Sequence, residues 1–293
     1  MLKPAVHETI WGGEKLSLYA ESDSKKIGHL YSLCSEDELE TRIMNGPFKG
    51  KTVDEWFKER RDKYGLSAYW KFPLILALVE ACDNLSIQVH PNDDMAVSVE
   101  GAQYGKNESW FFIETPKSGS LYNGCLARDT QEVREKLEAG EMMSIVDNLP
   151  VKEGDYVYVE AGTLHAMTSG SFVYEIEENS PWTYRLYDYD REDASGNKRP
   201  LHIEKGMKAL NTSLKSTAKP MGAEWIDERR YRLLHITQKA QWKNESETVQ
   251  CLTLLSGSFV ADKFLVSKGM TVILEPGEEL AGDIKEAIIA QPK

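Results

Sequence analysis

The chain is 293 residues long, enough for two domains of ordinary size or one large domain with insertions. Its 35 Lys+Arg against 47 Asp+Glu give a net charge of −12, a field that repels a phosphate backbone or an anionic membrane surface and argues against nucleic acid as a partner. With 41% hydrophobic and 28% charged residues, the composition is that of a globular protein able to bury a sizeable core, not of a disordered chain.

In chain order, the N-terminal MLKPAVHETIWGG has no apolar stretch of signal-peptide length. The longest greasy run, Phe72 to Val79, is too short to span a bilayer, so the expected location is the cytoplasm. Residues 52–83 have helical spacing, first in TVDEWFKERRDKYG and then in FPLILALVEACDN, with Phe72-Pro73 as a start signal and Asp83-Asn84 as a stop. Asp129 heads a second helical segment, about 129–147, where Glu132 completes a capping box and Val133 and Leu137 lie one turn apart. Nearly everything else reads as strand: SWFFIET, DYVYVEA, SFVYEIE, TYRLYDY, VQCLTLL and MTVILEP, punctuated by SG, NG, KG and PG turns. The expected fold class is mainly β with helical insertions. Cys34, Cys82, Cys125 and Cys251 are far apart and form no C-x-x-C pair, which predicts free thiols in a reducing compartment rather than a disulfide framework or a thiolate zinc site.

Two segments repeat. Gly154 to His165 aligns without gaps on Gly269 to Leu280, 115 residues later, and Ser118-Gly119-Ser120-Leu121 resembles Ser256-Gly257-Ser258-Phe259 at a spacing of 138. The first copy therefore carries about 23 extra residues, and the 129–139 helix falls in that interval. This predicts two related β-units, the first spanning 1–211 and the second 223–293, joined by a connector at 212–222.

Strand alternation puts Ser86, Gln88 and His90 on one face of LSIQVHP, and Lys106 and Glu108 on one face of KNESW. His165 closes a G-x5-E-x-G-x-x-H unit, whereas its counterpart in the second copy is Leu280. Two histidines, a glutamate and a glutamine at strand starts suit a divalent metal such as zinc: imidazoles and a carboxylate bind it strongly, an amide oxygen weakly, and an open position can take water or substrate.

The G-x5-E-x-G-x-x-H segment resembles the second cupin motif, with Glu160 for the usual proline and Ser169 for the usual asparagine. Together with QVHPND, GKNESW, EAGTLHA and TYRLYDYDR, it resembles the short bacterial form of type I mannose-6-phosphate isomerase, from KPAVHETIWGG to RPLHIEKGMKAL near residue 210. The resemblance implies a bicupin, two jelly-roll-like β-barrels, with one zinc per chain held by Gln88, His90, Glu108 and His165 in the first barrel and none in the second. It also implies Arg185 as the active-site arginine and a glutamate at the position of Glu175 lining the pocket.

Thr183, Arg185, Tyr187 and Tyr189 would share a strand face, placing the guanidinium among aromatic rings. Isomerisation through an enediol needs an electrophile and a base; Glu175 is the candidate base, hydroxide at the metal its competitor, and Glu177 shares its face. Ser86, Lys106 and Arg191 are the candidate phosphate ligands. Departures from the family pattern are Ile27-Gly28-His29-Leu30-Tyr31-Ser32 where a Glu-Ser-Trp-Glu type segment is usual, Ala77 where a lysine near a helix end is usual, and Asn107 for a threonine, expected to be neutral. Two rivals remain open on sequence: another metal cupin enzyme, such as an iron oxygenase or an isomerase of a different phosphosugar, and a non-catalytic sugar-phosphate binder.

Overall fold

The six strand-like runs form strands in the computed structural model, which describes residues 1–20, 22–36, 39–261 and 263–293. They are Glu108–Glu114, Asp155–Val159, Phe172–Glu178, Tyr184–Tyr187, Gln250–Ser256 and Thr271–Leu274. The fold is mainly β, as the sequence predicts. No helix among the described residues is long and apolar enough to cross a membrane.

The helical insertions are partly as expected. Val53–Arg60 is a helix whose Thr52 and Glu55 form a reciprocal capping box, a cap of about 1 kcal/mol. In Thr130–Glu138 only half of the box forms, because Asp129 accepts from Glu132 N while the Glu132 carboxylate accepts from Arg128 N instead. The second half of the 52–83 segment is not helical. Leu74–Glu80 is a strand with all seven residues buried, and a run apolar on both faces carries no periodicity to separate helix from strand. Ala77 therefore sits inside a strand, fully buried, and not near a helix end.

Two compact units emerge from the contacts. One comprises Met1–Glu8, Glu14–Leu78 and Met221–Lys293. Its C-terminal part is a five-stranded antiparallel sheet in the order Ile226–Asp227, Tyr231–Lys243, Glu279–Pro292, Gln250–Ser256, Thr271–Leu274, plus the hairpin Ser258–Ala261 and Phe264–Ser267. Leu252 opposite Ile289 and Leu254 opposite Ala287, all fully buried, centre its core.

The other unit comprises Thr9–Gly13 and Val79–Pro220. It has two antiparallel sheets. One includes, in order from its edge, Ala218–Pro220, Asp155–Val159, Glu108–Glu114 and Phe172–Glu178, so three residues of the expected connector form an edge strand. The other runs Tyr184–Tyr187, Ile87–Val89, His165–Ala166, Ser120–Cys125, Val146–Pro150.

The two sequence repeats adopt the same local structure. Each is a strand followed by a tight turn, closed by Thr163 N to Glu160 O in the first copy and Glu278 N to Glu275 O in the second, both 3.0 Å. Gly162 and Gly277 occupy the third turn position with φ of +95° and +83°, the left-handed geometry that selects glycine there.

Candidate metal centre and active site

Ladder pairing fixes the site. Gln88 lies opposite Arg185 on one side and His165 on the other, and Asn123 lies opposite His165. Directly opposed residues share a face, so these four form a row across one sheet, and His90, two residues beyond Gln88, joins that face. Glu108 enters from the other sheet, at the start of its strand opposite Val159 and Glu177.

The side chains converge. His90 Nε2 is 3.2 Å from Glu108 Oε2 and His165 Nε2 is 3.2 Å from Glu108 Oε1, while Gln88 places its Nε2 3.3 Å from His165 Nε2 and its Oε1 accepts from Ser86 Oγ at 3.4 Å. Donors bound to zinc at about 2.0–2.1 Å in a tetrahedron lie about 3.3 Å from each other, so the spacing of His90, Glu108 and His165 fits a shared ion. His90 Nε2 and Glu108 Oε1 are buried with no hydrogen-bond partner among the described residues, a state that burial penalises unless something else is bound. The far ring nitrogens are occupied: His90 Nδ1 is 3.0 Å from Trp182 O and His165 Nδ1 is 2.8 Å from Thr163 O. A carbonyl only accepts, so each Nδ1 carries the hydrogen and each Nε2 turns its lone pair to the centre. Burial, and next the charge of Lys106, lower the His90 imidazole to about 4, which keeps it neutral at pH 7, the form able to bind a metal. Burial works against charge on Glu108, but His90 and Lys106 hold its carboxyl well below the usual range.

Beside this centre lies a second buried group. Lys106 Nζ is 3.0 Å from Glu177 and 3.5 Å from Glu108, and despite burial these carboxylates push its pKa upward. Glu175 accepts a 2.9 Å hydrogen bond from Trp110 Nε1. Burial first, then the charges of Glu177 and Glu108, raise the Glu175 carboxyl well above its ordinary range.

The second copy carries other residues at the same positions. There Trp242 lies opposite Leu280 as Gln88 lies opposite His165, and Gln250 lies opposite Leu274 as Glu108 lies opposite Val159. Gly277 N donates to Asn244 O at 2.8 Å as Gly162 N donates to His90 O at 2.9 Å. Gln88, His90, Glu108 and His165 thus correspond to Trp242, Asn244, Gln250 and Leu280. Trp242 Nε1 donates to Gln250 Oε1 at 2.9 Å, so a neutral hydrogen-bonded pair stands where Gln88 and Glu108 stand in the first copy.

Arg185 is half-buried, its Nε donating to Ser86 Oγ at 3.2 Å and its Nη1 to Pro200 O at 2.8 Å. The expected alternation along TYRLYDYDR stops there. A register shift falls between Arg185 and Tyr187, and Tyr189 and Asp190 have φ of +57° and +55°. Tyr187 and Tyr189 instead meet edge to face at 5.0 Å, and the Arg191 guanidinium lies 4.9 Å from the Tyr189 ring centroid. Asp188 holds both Arg191 and Arg199, each with a contact of 2.6 Å. The sequence reading missed Asp188, Arg199 and His202, whose Nδ1 accepts from Arg185 N at 3.1 Å. Arg199 and His202 lie in or beside RPLHIEKGMKAL, a family-like segment, and that was the available signal. Asn107, expected to be neutral, joins three chain segments through its amide, which meets Ala161 N and Glu178 Oε2.

Residues 1–109 match the family model "Phosphomannose isomerase type I, catalytic domain". A mannose-6-phosphate isomerase of Streptococcus mutans is 35% identical over 221 residues, 75% of this chain and 70% of that protein. The crystal structure of the Bacillus subtilis mannose 6-phosphate isomerase superposes with a TM-score of 0.86 at 27% identity, covering 99% of this chain and 98% of that one. A crystal structure of a zinc-bound mannose 6-phosphate isomerase shares the fold, with a TM-score of 0.66 at 12% identity over 100% and 98% of the two chains.

Proposed function

The chain belongs to the type I mannose-6-phosphate isomerase family, and from that premise we propose that it interconverts mannose 6-phosphate and fructose 6-phosphate at a zinc centre held by Gln88, His90, Glu108 and His165. The observation that carries this reading is the convergence of three buried side chains, His90, Glu108 and His165, at 3.2 Å with two ring nitrogens directed inward, and the half-buried Gln88 amide lies beside them. Zinc in that position supplies a Lewis acid for the carbonyl and hydroxyl oxygens of the sugar.

The chain's own groups do the rest. An aldose becomes a ketose when a proton leaves C2 and returns to C1 through an enediol. Glu175, its carboxyl pushed well above the ordinary carboxylate range by burial and by Glu177, is the group proposed to carry that proton, with the Trp110 indole fixing its orientation. Arg185 remains cationic at any working pH and is anchored at two points, which suits it to stabilise the enediolate oxygen. For the phosphate, Ser86 beside Arg185 and the Arg191–Asp188–Arg199 group offer ordered hydrogen-bond donors. Lys106 is better employed as the counter-charge that keeps Glu177 and Glu108 together than as a free phosphate ligand.

Segment 79–220 is the catalytic unit in this reading. The second copy carries no metal, because Trp242, Asn244, Gln250 and Leu280 offer no imidazole or carboxylate. The reducing cytoplasm suits four cysteines of which none is disulfide-bonded among the described residues. The test is fructose 6-phosphate formation from mannose 6-phosphate by the purified protein before chelation, after chelation and after zinc return. Turnover lost and restored is expected. No product from zinc-loaded protein would overturn the assignment.

A further inference from the structure

Asn107 stands next to the ligand Glu108 and is almost wholly buried, as is Glu178. Its side chain faces two ways. Oδ1 accepts from Ala161 N at 2.8 Å, and Nδ2 donates to Glu178 Oε2 at 2.8 Å, while Glu178 N donates back to Asn107 O at 2.9 Å. Ala161 belongs to the 160–163 turn, which touches the other two strong ligands: Gly162 N donates to His90 O, and Thr163 O accepts from His165 Nδ1. One turn is therefore hydrogen-bonded to His90, to His165 and, through Asn107, to the strand that opens with Glu108.

The second copy supplies the contrast. Its turn has the same closing bond and the same left-handed glycine, but Pro276 stands at the position of Ala161 and has no N–H to donate. Counting back from Gln250, the equivalent of Glu108, puts the buried Val249 at the position of Asn107. The tie exists in the copy that has the ligand set and is missing where the ligands have been replaced, so the fold of the turn does not require it.

We propose that Asn107 is a positioning residue for the metal centre, which locks the 160–163 turn to the Glu108 strand so that Glu108, His90 and His165 are held at ligand spacing before an ion arrives. This rests on the zinc reading above. Groups that orient metal ligands are worth about 10–100-fold in affinity.

The experiment is zinc affinity, measured by competition with a chromogenic chelator, together with the thermal midpoint of the zinc-free protein, for wild type, Asn107→Leu and Ala161→Pro. Ala161→Pro removes only the donor, and proline is favoured at that turn position, as Pro276 in the same chain illustrates. Expected are about 10–100-fold weaker zinc binding in Asn107→Leu and a loss of several-fold in Ala161→Pro, with the zinc-free midpoint of Ala161→Pro unchanged or raised. If Asn107→Leu does not fold, Ala161→Pro decides. Wild-type affinity in Ala161→Pro, or weaker binding that only accompanies a fallen zinc-free midpoint, overturns the positioning role. Absence of tight zinc binding in the wild type overturns the metal reading instead.

Discussion

Arg185→Lys separates the roles open to the arginine. In the structure the guanidinium uses Nε on Ser86 Oγ and Nη1 on Pro200 O, leaving its planar fork oriented beside the row formed by Gln88 and His165. A lysine keeps the charge but has a single ammonium, which cannot hold both anchors and still present a donor in the same place. If the arginine stabilises an enediolate oxygen, loss of that donor costs about 2.7–4 kcal/mol in the transition state, or ~10²–10³ in kcat. The site is half-buried and the anchors are local, so the fold and bound zinc should be retained. Steady-state kinetics on mannose 6-phosphate, with zinc content measured on the same samples, is the assay. A raised KM with kcat preserved would make Arg185 a phosphate grip, and near-normal values of both constants would refute its place in the active site.

His90→Ala and His165→Ala should each lose bound zinc, since removing one strong donor leaves a weak set; full metal content in either by elemental analysis removes that histidine from the ligands. Asp188 should make stability acid-sensitive. Burial opposes its charge, but Arg199 and Arg191 lower its pKa, so its contribution is present at neutral pH and disappears as pH falls through that depressed value. Asp188→Asn should accordingly lower the thermal midpoint at pH 7 and converge with wild type in acid; equal midpoints at pH 7 would contradict this. Leu254→Ala, at a fully buried position of the C-terminal sheet, should destabilise by about 2–5 kcal/mol in denaturant titration, and a change below 1 kcal/mol would mean that the sheet's core is not where the structure puts it.

The parts legible in sequence were those written in local pattern. Alternation gave the strands around Gln88 and Glu108, and the repeat gave the turn with its left-handed Gly162 and the position of His165. The parts missed depend on partners distant in sequence or on patterns with little signal. Leu74–Glu80 is buried on both sides and so shows no period. Asp93–Glu100 is a helix bounded by the Asn92 cap and left-handed Gly101, punctuation that could be read, but it buries only Ala96 and leaves Val97 and Val99 exposed, so its apolar pattern points the wrong way. The bulge after Arg185 undoes a face argument that is sound for an unbroken strand. Asn107 looked neutral because the atoms that give it work, on Ala161 and Glu178, are 54 and 71 residues away.

The central claim is that isomerisation depends on one zinc ion at the His90–Glu108–His165–Gln88 centre. Its most direct test is titration of the metal-free protein with zinc while fructose 6-phosphate formation is followed. Turnover should rise from near zero and level off at one zinc per chain, because the second copy has Leu280 and Asn244 where the first has His165 and His90. Full turnover before zinc is added, or a plateau only at two ions per chain, would contradict the account.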